Sequence, residues 1–189
     1  MTYNVRTRCA SSLNDAFCAS QRWLLTLVLG LLFVAGIPYG ASAQTTQRLD
    51  TTDPEANGNF GFSVGTDGTD VVVGARRENT GSGSNAGRVY IYTPTGTPDT
   101  WGLDFAGGAS GTEQDAFLGQ AVVHTGGAAF AGAPFDDITN ASDAGSIYQY
   151  EDDGTGYAFA EGYPEPDGSG GVWFGNGMAT DGVRLAVGA

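Results

Sequence analysis

The sequence of 189 residues contains no lysine, and this absence limits what the protein can bind. All eight basic residues are arginines, and they stand against 21 acidic residues, for a formal charge of -13. Binding to DNA or RNA needs clustered cations that contact the phosphates. The composition therefore sets nucleic acids aside as partners.

Cysteine and histidine are also scarce. Cys9 and Cys18 are the two cysteines, both near the N-terminus, and His124 is the single histidine. Beyond residue 18 the chain thus excludes disulfides, zinc sites of the His/Cys type and Cys-His nucleophiles. We expect His124 to be a surface residue beside a turn. With one histidine and no cysteine beyond residue 18, the sequence gives catalysis little support, so we predict that the protein is not an enzyme.

One long apolar segment occurs, from Leu24 to Ile37, and it is shorter than the roughly 20 residues that a membrane-spanning helix needs. Arginines precede this segment, and the small residues 41–43 follow it. This arrangement is typical of a secretory signal peptide over residues 1–43, cleaved between Ala43 and Gln44. We expect a secreted or cell-surface protein without a membrane span after cleavage, with an uncleaved N-terminal anchor as the alternative.

Glycine, in contrast, is abundant, with 31 residues, and it marks an internal repeat. Residues 60–101 align without gaps with residues 118–159 at an offset of 58, and 12 of the 42 pairs are identical. A third copy begins at an offset of 56, where Gly175, Gly182 and Gly188 fall on glycines of the second copy. Repeats of this length indicate stacked structural units.

The residue pattern of each copy predicts four short strands. In the first copy they cover 62–66, 70–75, 88–93 and about 101–105, and Asp67-Gly68 is a hairpin turn between the first two. Four antiparallel strands per repeat are typical of a β-propeller blade. A jelly roll or a solenoid is the rival architecture.

The repeated motifs carry a family resemblance. Asn59-Phe60-Gly61 and Val73-Gly74-Ala75 in the first copy, Gly132-Ala133-Pro134 in the second and Phe174-Gly175 in the third resemble the FG-GAP repeat of integrin α-subunits and of many exported bacterial proteins. The resemblance implies an all-β propeller. We divide the chain into a linker at 44–57, blades at about 58–116 and 117–172, and a partial third blade at 173–189.

Some members of that family bind calcium through an Asp-rich loop in the first hairpin of a blade. The corresponding hairpins here lie at 65–70, 123–128 and 180–183, and they are short and poor in carboxylates. The typical calcium loop is absent, so we expect no bound cofactor or metal, with calcium as the alternative.

Long loops follow the second and fourth strands of each blade, so they emerge at the same end of an up-and-down sheet. We predict that this end binds the ligand. The five candidate residues are Arg76, Arg77, Asp136, Asp137 and Asp143. The predicted function is an extracellular binding or adhesion module for a protein or glycan ligand. An accessory propeller of a larger secreted hydrolase or lyase, or a structural surface component, is the alternative.

Three aromatic residues, Trp101, Phe159 and Trp173, have two interpretations: a platform on which sugars stack, or packing between blades, which we favour. Closed propellers need about four to eight blades. The expectation is therefore that the sequence is part of a longer propeller, with self-association through the open blade edge as the alternative.

Overall fold

The computed structural model describes residues 46–51, 55–109 and 112–189, all within one compact unit, Thr45–Ala189. The predicted signal peptide and its cleavage point between Ala43 and Gln44 lie outside the described residues, and this prediction stays open. The described part of the chain forms ten β-strands, and none of its residues belongs to a helix able to cross a membrane.

The first four strands form an antiparallel sheet, blade 1, in the order in which they occur along the chain. They are β1 (Phe60–Thr66), β2 (Val71–Ala75), β3 (Arg88–Pro94) and β4 (Trp101–Gly107). The Val71-Val72-Val73 run lies in β2, where β-branched side chains pack well on a pleated surface. β1 begins at Phe60, two residues earlier than predicted.

The next four strands form blade 2 with the same order and direction. They are β5 (Val122–Thr125), β6 (Ala128–Ala133), β7 (Ser146–Asp152) and β8 (Tyr157–Pro164). Both blades carry a register shift at the same place, between Ile91 and Tyr92 in β3 and between Gln149 and Tyr150 in β7. The repeat therefore extends to the irregularities of the sheet.

A third, two-stranded antiparallel sheet contains β9 (Gly177–Thr180) and β10 (Leu185–Gly188). It corresponds to the first two strands of a blade. The all-β class and the interpretation as propeller blades, two of them full and one partial, are confirmed.

The predicted Asp67-Gly68 turn forms with side-chain support. Asp67 Oδ1 accepts hydrogen bonds from the backbone N–H groups of Thr69 at 2.8 Å and Asp70 at 3.0 Å. Gly68 has a φ of 96°, which glycine adopts without steric cost. Tight turns therefore close one end of each blade, and the long loops emerge at the other.

The main core lies between the two full blades. Val72, Val89 and Ile91 of blade 1 pack in one cluster with Ala131 and Tyr150 of blade 2, and all five are buried. A second cluster, around Tyr90 and Tyr92, covers the opposite face of blade 1. Burial of apolar surface between stacked sheets thus holds the repeats together.

Glycines allow the blades to approach each other closely. A Cβ atom on Gly74 would lie 2.2 Å from the carbonyl oxygen of Gly119, and one on Gly132 would lie 1.9 Å from that of Gly175. Both distances are far inside van der Waals contact. The glycine of the Gly-Ala dipeptide in one blade therefore fits against the Phe-Gly or Leu-Gly dipeptide of the next blade, because glycine has no side chain.

Candidate functional site

The long loop after the second strand has the same construction in both blades. In blade 1 the backbone N–H of Asn85 donates to Asn79 Oδ1 at 2.9 Å. In blade 2 the backbone N–H of Asp143 donates to Asp137 Oδ1 at 2.8 Å. Each loop is also closed at its base by one backbone hydrogen bond, from the amide of Gly87 in blade 1 and of Gly145 in blade 2. The predicted candidates Asp137 and Asp143 therefore lie together, exposed, on a defined loop.

The two candidate arginines have different surroundings. Arg76 lies with its guanidinium carbon 3.8 Å from the ring centre of Phe62, and its Nη1 donates to Gln120 Oε1 at 2.8 Å. These contacts hold Arg76 between the blades. Arg77 is exposed, and its guanidinium carbon lies 5.9 Å from the ring centre of Phe117.

Phe117 begins a row of aromatic rings across the loop end, here called the aromatic row and made of Phe117, Phe135 and Trp173. The ring centres are 5.3 Å apart from Phe117 to Phe135 and 5.7 Å apart from Phe135 to Trp173. Trp173 remains 47% exposed. The row joins blade 2 to the third sheet, and Arg77 of blade 1 lies at its Phe117 end. The row also presents apolar surface to solvent.

The backbone under this row is strained. Phe117 has a φ of 56° and Trp173 a φ of 61°, in the left-handed region that bulky residues rarely adopt. Both residues immediately precede a Leu-Gly or Phe-Gly dipeptide. Strained residues of this kind persist where the surrounding structure holds them, and they cluster at functional sites.

Asp136 does not share the exposed position expected for it. The residue is only 2% exposed, and one carboxylate oxygen, Oδ2, accepts a hydrogen bond from the Tyr148 hydroxyl. Burial raises the pKa of Asp136, although the hydrogen bond from the Tyr148 hydroxyl opposes that rise. Burial and the Asp136 carboxylate likewise raise the pKa of Tyr148. The loop expectation for Asp136 is corrected, because the turn after β6 directs this side chain inward.

His124 is a second correction, since it is buried and 4% exposed. Its Nε2 is 2.7 Å from the Tyr157 hydroxyl, which also donates to Asp70 Oδ2 at 2.7 Å. Its Nδ1 is 3.1 Å from Asp67 Oδ2, close enough for an ion pair but without hydrogen-bond geometry. The alternation of β5 turns His124 toward the turn of blade 1, so the residue connects the blades at their tight-turn end.

The other aromatic candidates belong to packing. Trp101 Nε1 donates to the Thr69 carbonyl oxygen at 2.7 Å, and Phe159 lies 6.1 to 6.2 Å, between ring centres, from Tyr148 and Tyr150. Each set of contacts lies within a single blade, so these residues pack, but the packing between blades that we favoured stays a prediction. Trp173, in contrast, belongs to the aromatic row. The sequence did not predict this row, because its three residues lie far apart along the chain.

Among the described residues no group of three His, Cys, Asp or Glu side chains is placed to hold a metal ion. Within the same residues, neither candidate arginine forms an ion pair with the three candidate aspartates. The five candidates therefore do not form one charged cluster, and their ligand-binding role stays a prediction.

These blades define the class of protein. Antiparallel sheets of four strands, joined through glycine contacts and carrying long loops at one end, are repeats of a β-propeller. Residues 44–92, which include most of blade 1, match the family model described as FG-GAP repeat. This segment is thus similar to an FG-GAP repeat, in agreement with the motifs. No curated protein matches the chain.

Proposed function

We propose that this protein is an extracellular, non-catalytic binding or adhesion module, and that the long-loop end recognises a protein or glycan ligand. The aromatic row is the observation that carries the proposal. Large apolar side chains exposed on a rigid scaffold are typical anchors of binding surfaces. The exposed cation of Arg77 extends the row, and the paired loop residues Asp137 and Asp143 supply hydrogen-bond acceptors near it.

Trp173 is the best residue with which to test the proposal. We expect the full chain to bind a subset of an array of immobilised polysaccharides and extracellular proteins. Trp173→Ala should weaken that binding at least tenfold because it removes an exposed anchor. Val183→Ala is the control, since Val183 is an exposed apolar residue in the turn between β9 and β10, at the tight-turn end.

The two ligand classes separate in the same experiment. Binding that survives protease treatment of the array and is lost after periodate oxidation identifies a glycan, and the reverse pattern identifies a protein. Binding that Trp173→Ala leaves unchanged would contradict the proposal. Release of reducing sugar ends or of peptides from the bound material would contradict its non-catalytic part.

A further inference from the structure

The two full blades contain the same buried pair, a carboxylate and a tyrosine, but they differ in what completes it. In blade 1 Glu78 accepts hydrogen bonds from the Tyr90 hydroxyl at 2.6 and 2.7 Å and from Arg88 Nη1 at 3.1 Å. The offset of 58 residues places Asp136, Tyr148 and Ser146 at the equivalent positions of blade 2. Blade 2 therefore keeps the pair and has a serine in place of the arginine.

An open cavity of about 510 Å³ lies next to Ser146. Its walls include the two neighbouring carboxylates of Asp136 and Asp137 and the two aromatic rings of Tyr148 and Phe159. Its volume falls within the roughly 300–1,000 Å³ range of pockets that bind small ligands. The cavity is thus a space of ligand size at the position where blade 1 has an arginine.

The Asp136 carboxylate is incompletely paired in this cavity. Its Oδ1 is buried and has no hydrogen-bond partner among the described residues. Ser146 and the backbone of Glu113 lie close enough to affect the pKa of Asp136, but neither forms a hydrogen bond of normal geometry with Oδ1. A buried carboxylate oxygen without a donor is costly, so a donor that enters the cavity gains free energy.

We propose that the cavity beside Asp136 binds a guanidinium group, which takes the place that the Arg88 guanidinium takes in blade 1. A planar guanidinium donates two hydrogen bonds at once to a carboxylate, which an ammonium group does not. The rings of Tyr148 and Phe159 offer faces for cation–π contact. The inference rests on the comparison of the blades and does not depend on the role of the aromatic row.

The test uses methylguanidinium as the probe and the full chain labelled with ¹⁵N. We expect saturable shifts of the amide signals around Asp136, Ser146 and Tyr148 at millimolar concentrations that do not denature proteins. Urea, which has a similar shape but no charge, is the control compound and should give no saturable shift. Asp181→Asn is the control variant, since Asp181 is an exposed acid in the turn between β9 and β10 that does not line the cavity, and it should change the affinity by less than threefold.

Two variants remove the site in different ways. Asp136→Asn removes the charge at constant volume and should weaken binding of the probe at least tenfold. Ser146→Arg supplies an internal guanidinium, as in blade 1, and should abolish binding. If the arginine variant does not fold, the asparagine variant still decides. Equal shifts in the wild type and Asp136→Asn, or equal shifts with urea, would overturn the proposal.

The source of the guanidinium is decided by a second titration with a blocked tripeptide that contains a central arginine. Affinity at least tenfold higher for the peptide than for methylguanidinium supports binding of an arginine side chain from a protein partner. Similar affinity supports binding of a free small cation. The same peptide with citrulline, which is uncharged, should not bind in either case.

Discussion

Blade 1 and blade 2 have the same strand order, the same register shift between the third and fourth strands and the same loop hydrogen bonds. They differ in the surroundings of the buried acid in the long loop after the second strand. Glu78 has Arg88 beside it, whereas Asp136 has Ser146 and an open cavity. The scaffold is therefore maintained by backbone pairing and glycine contacts. Side chains that the scaffold does not need vary from blade to blade, and the differences between blades mark candidate sites.

The largest effect should come from the glycine contacts that both blade junctions share. Gly132→Ala places a Cβ atom 1.9 Å from the Gly175 carbonyl oxygen, so we expect a loss of about 3 kcal/mol in the free energy of unfolding. Gly177→Ala is the control because its Cβ atom would meet nothing within 4 Å. Urea denaturation measures both variants, and equal losses would contradict the importance of the junction.

A smaller effect should distinguish the buried acids of the two blades. Tyr148→Phe removes the hydrogen bond that the Tyr148 hydroxyl donates to the Asp136 carboxylate, and we expect a loss of about 2 kcal/mol. Tyr90→Phe should cost about 1 kcal/mol, because Arg88 still donates to Glu78. Urea midpoints compare the pair. A greater loss for Tyr90→Phe would show that the arginine does not compensate.

The smallest effect should appear as a dependence on pH. Because burial raises the pKa of Asp136, the folded state holds this proton to a higher pH than the unfolded state. Stability contributed at this site is therefore highest below the unfolded pKa of about 3.9 and falls as the pH rises through the folded value. Asp136→Asn removes this fall.

Unfolding of the wild type and Asp136→Asn should therefore be compared at pH 3 and pH 7. The variant should gain stability relative to the wild type at pH 7, and that gain should disappear at pH 3. A difference that is the same at both values would show that the ionisation of Asp136 does not affect folding.

Much of the fold could be predicted from the sequence because its signals are local. The valine run of β2, the Asp67-Gly68 turn and the glycines at 74 and 132 each specify their own structure through β-propensity, turn chemistry or the absence of a side chain. Repetition at offsets of 58 and 56 residues then indicates that the same local signals recur in each blade. These features do not depend on distant partners.

The site was less predictable because its geometry comes from contacts between distant residues. His124 is buried because Tyr157 and a turn of the other blade surround it, and neither partner is near it in sequence. The alignment of the two repeats gave one indication of the cavity, because Ser146 stands where blade 1 has Arg88. That indication has meaning only once Glu78 and Asp136 are known to lie beside those positions.

The left-handed backbone before each Phe-Gly or Leu-Gly dipeptide has a further consequence. Asn59, Phe117 and Trp173 occupy equivalent positions with φ values of 58°, 56° and 61°. Asparagine tolerates this conformation best, yet two blades carry large aromatic residues there. The main chain thus accepts very different side chains at one equivalent position of the repeat. The side chain at this position can therefore change from blade to blade while the backbone of the repeat stays the same.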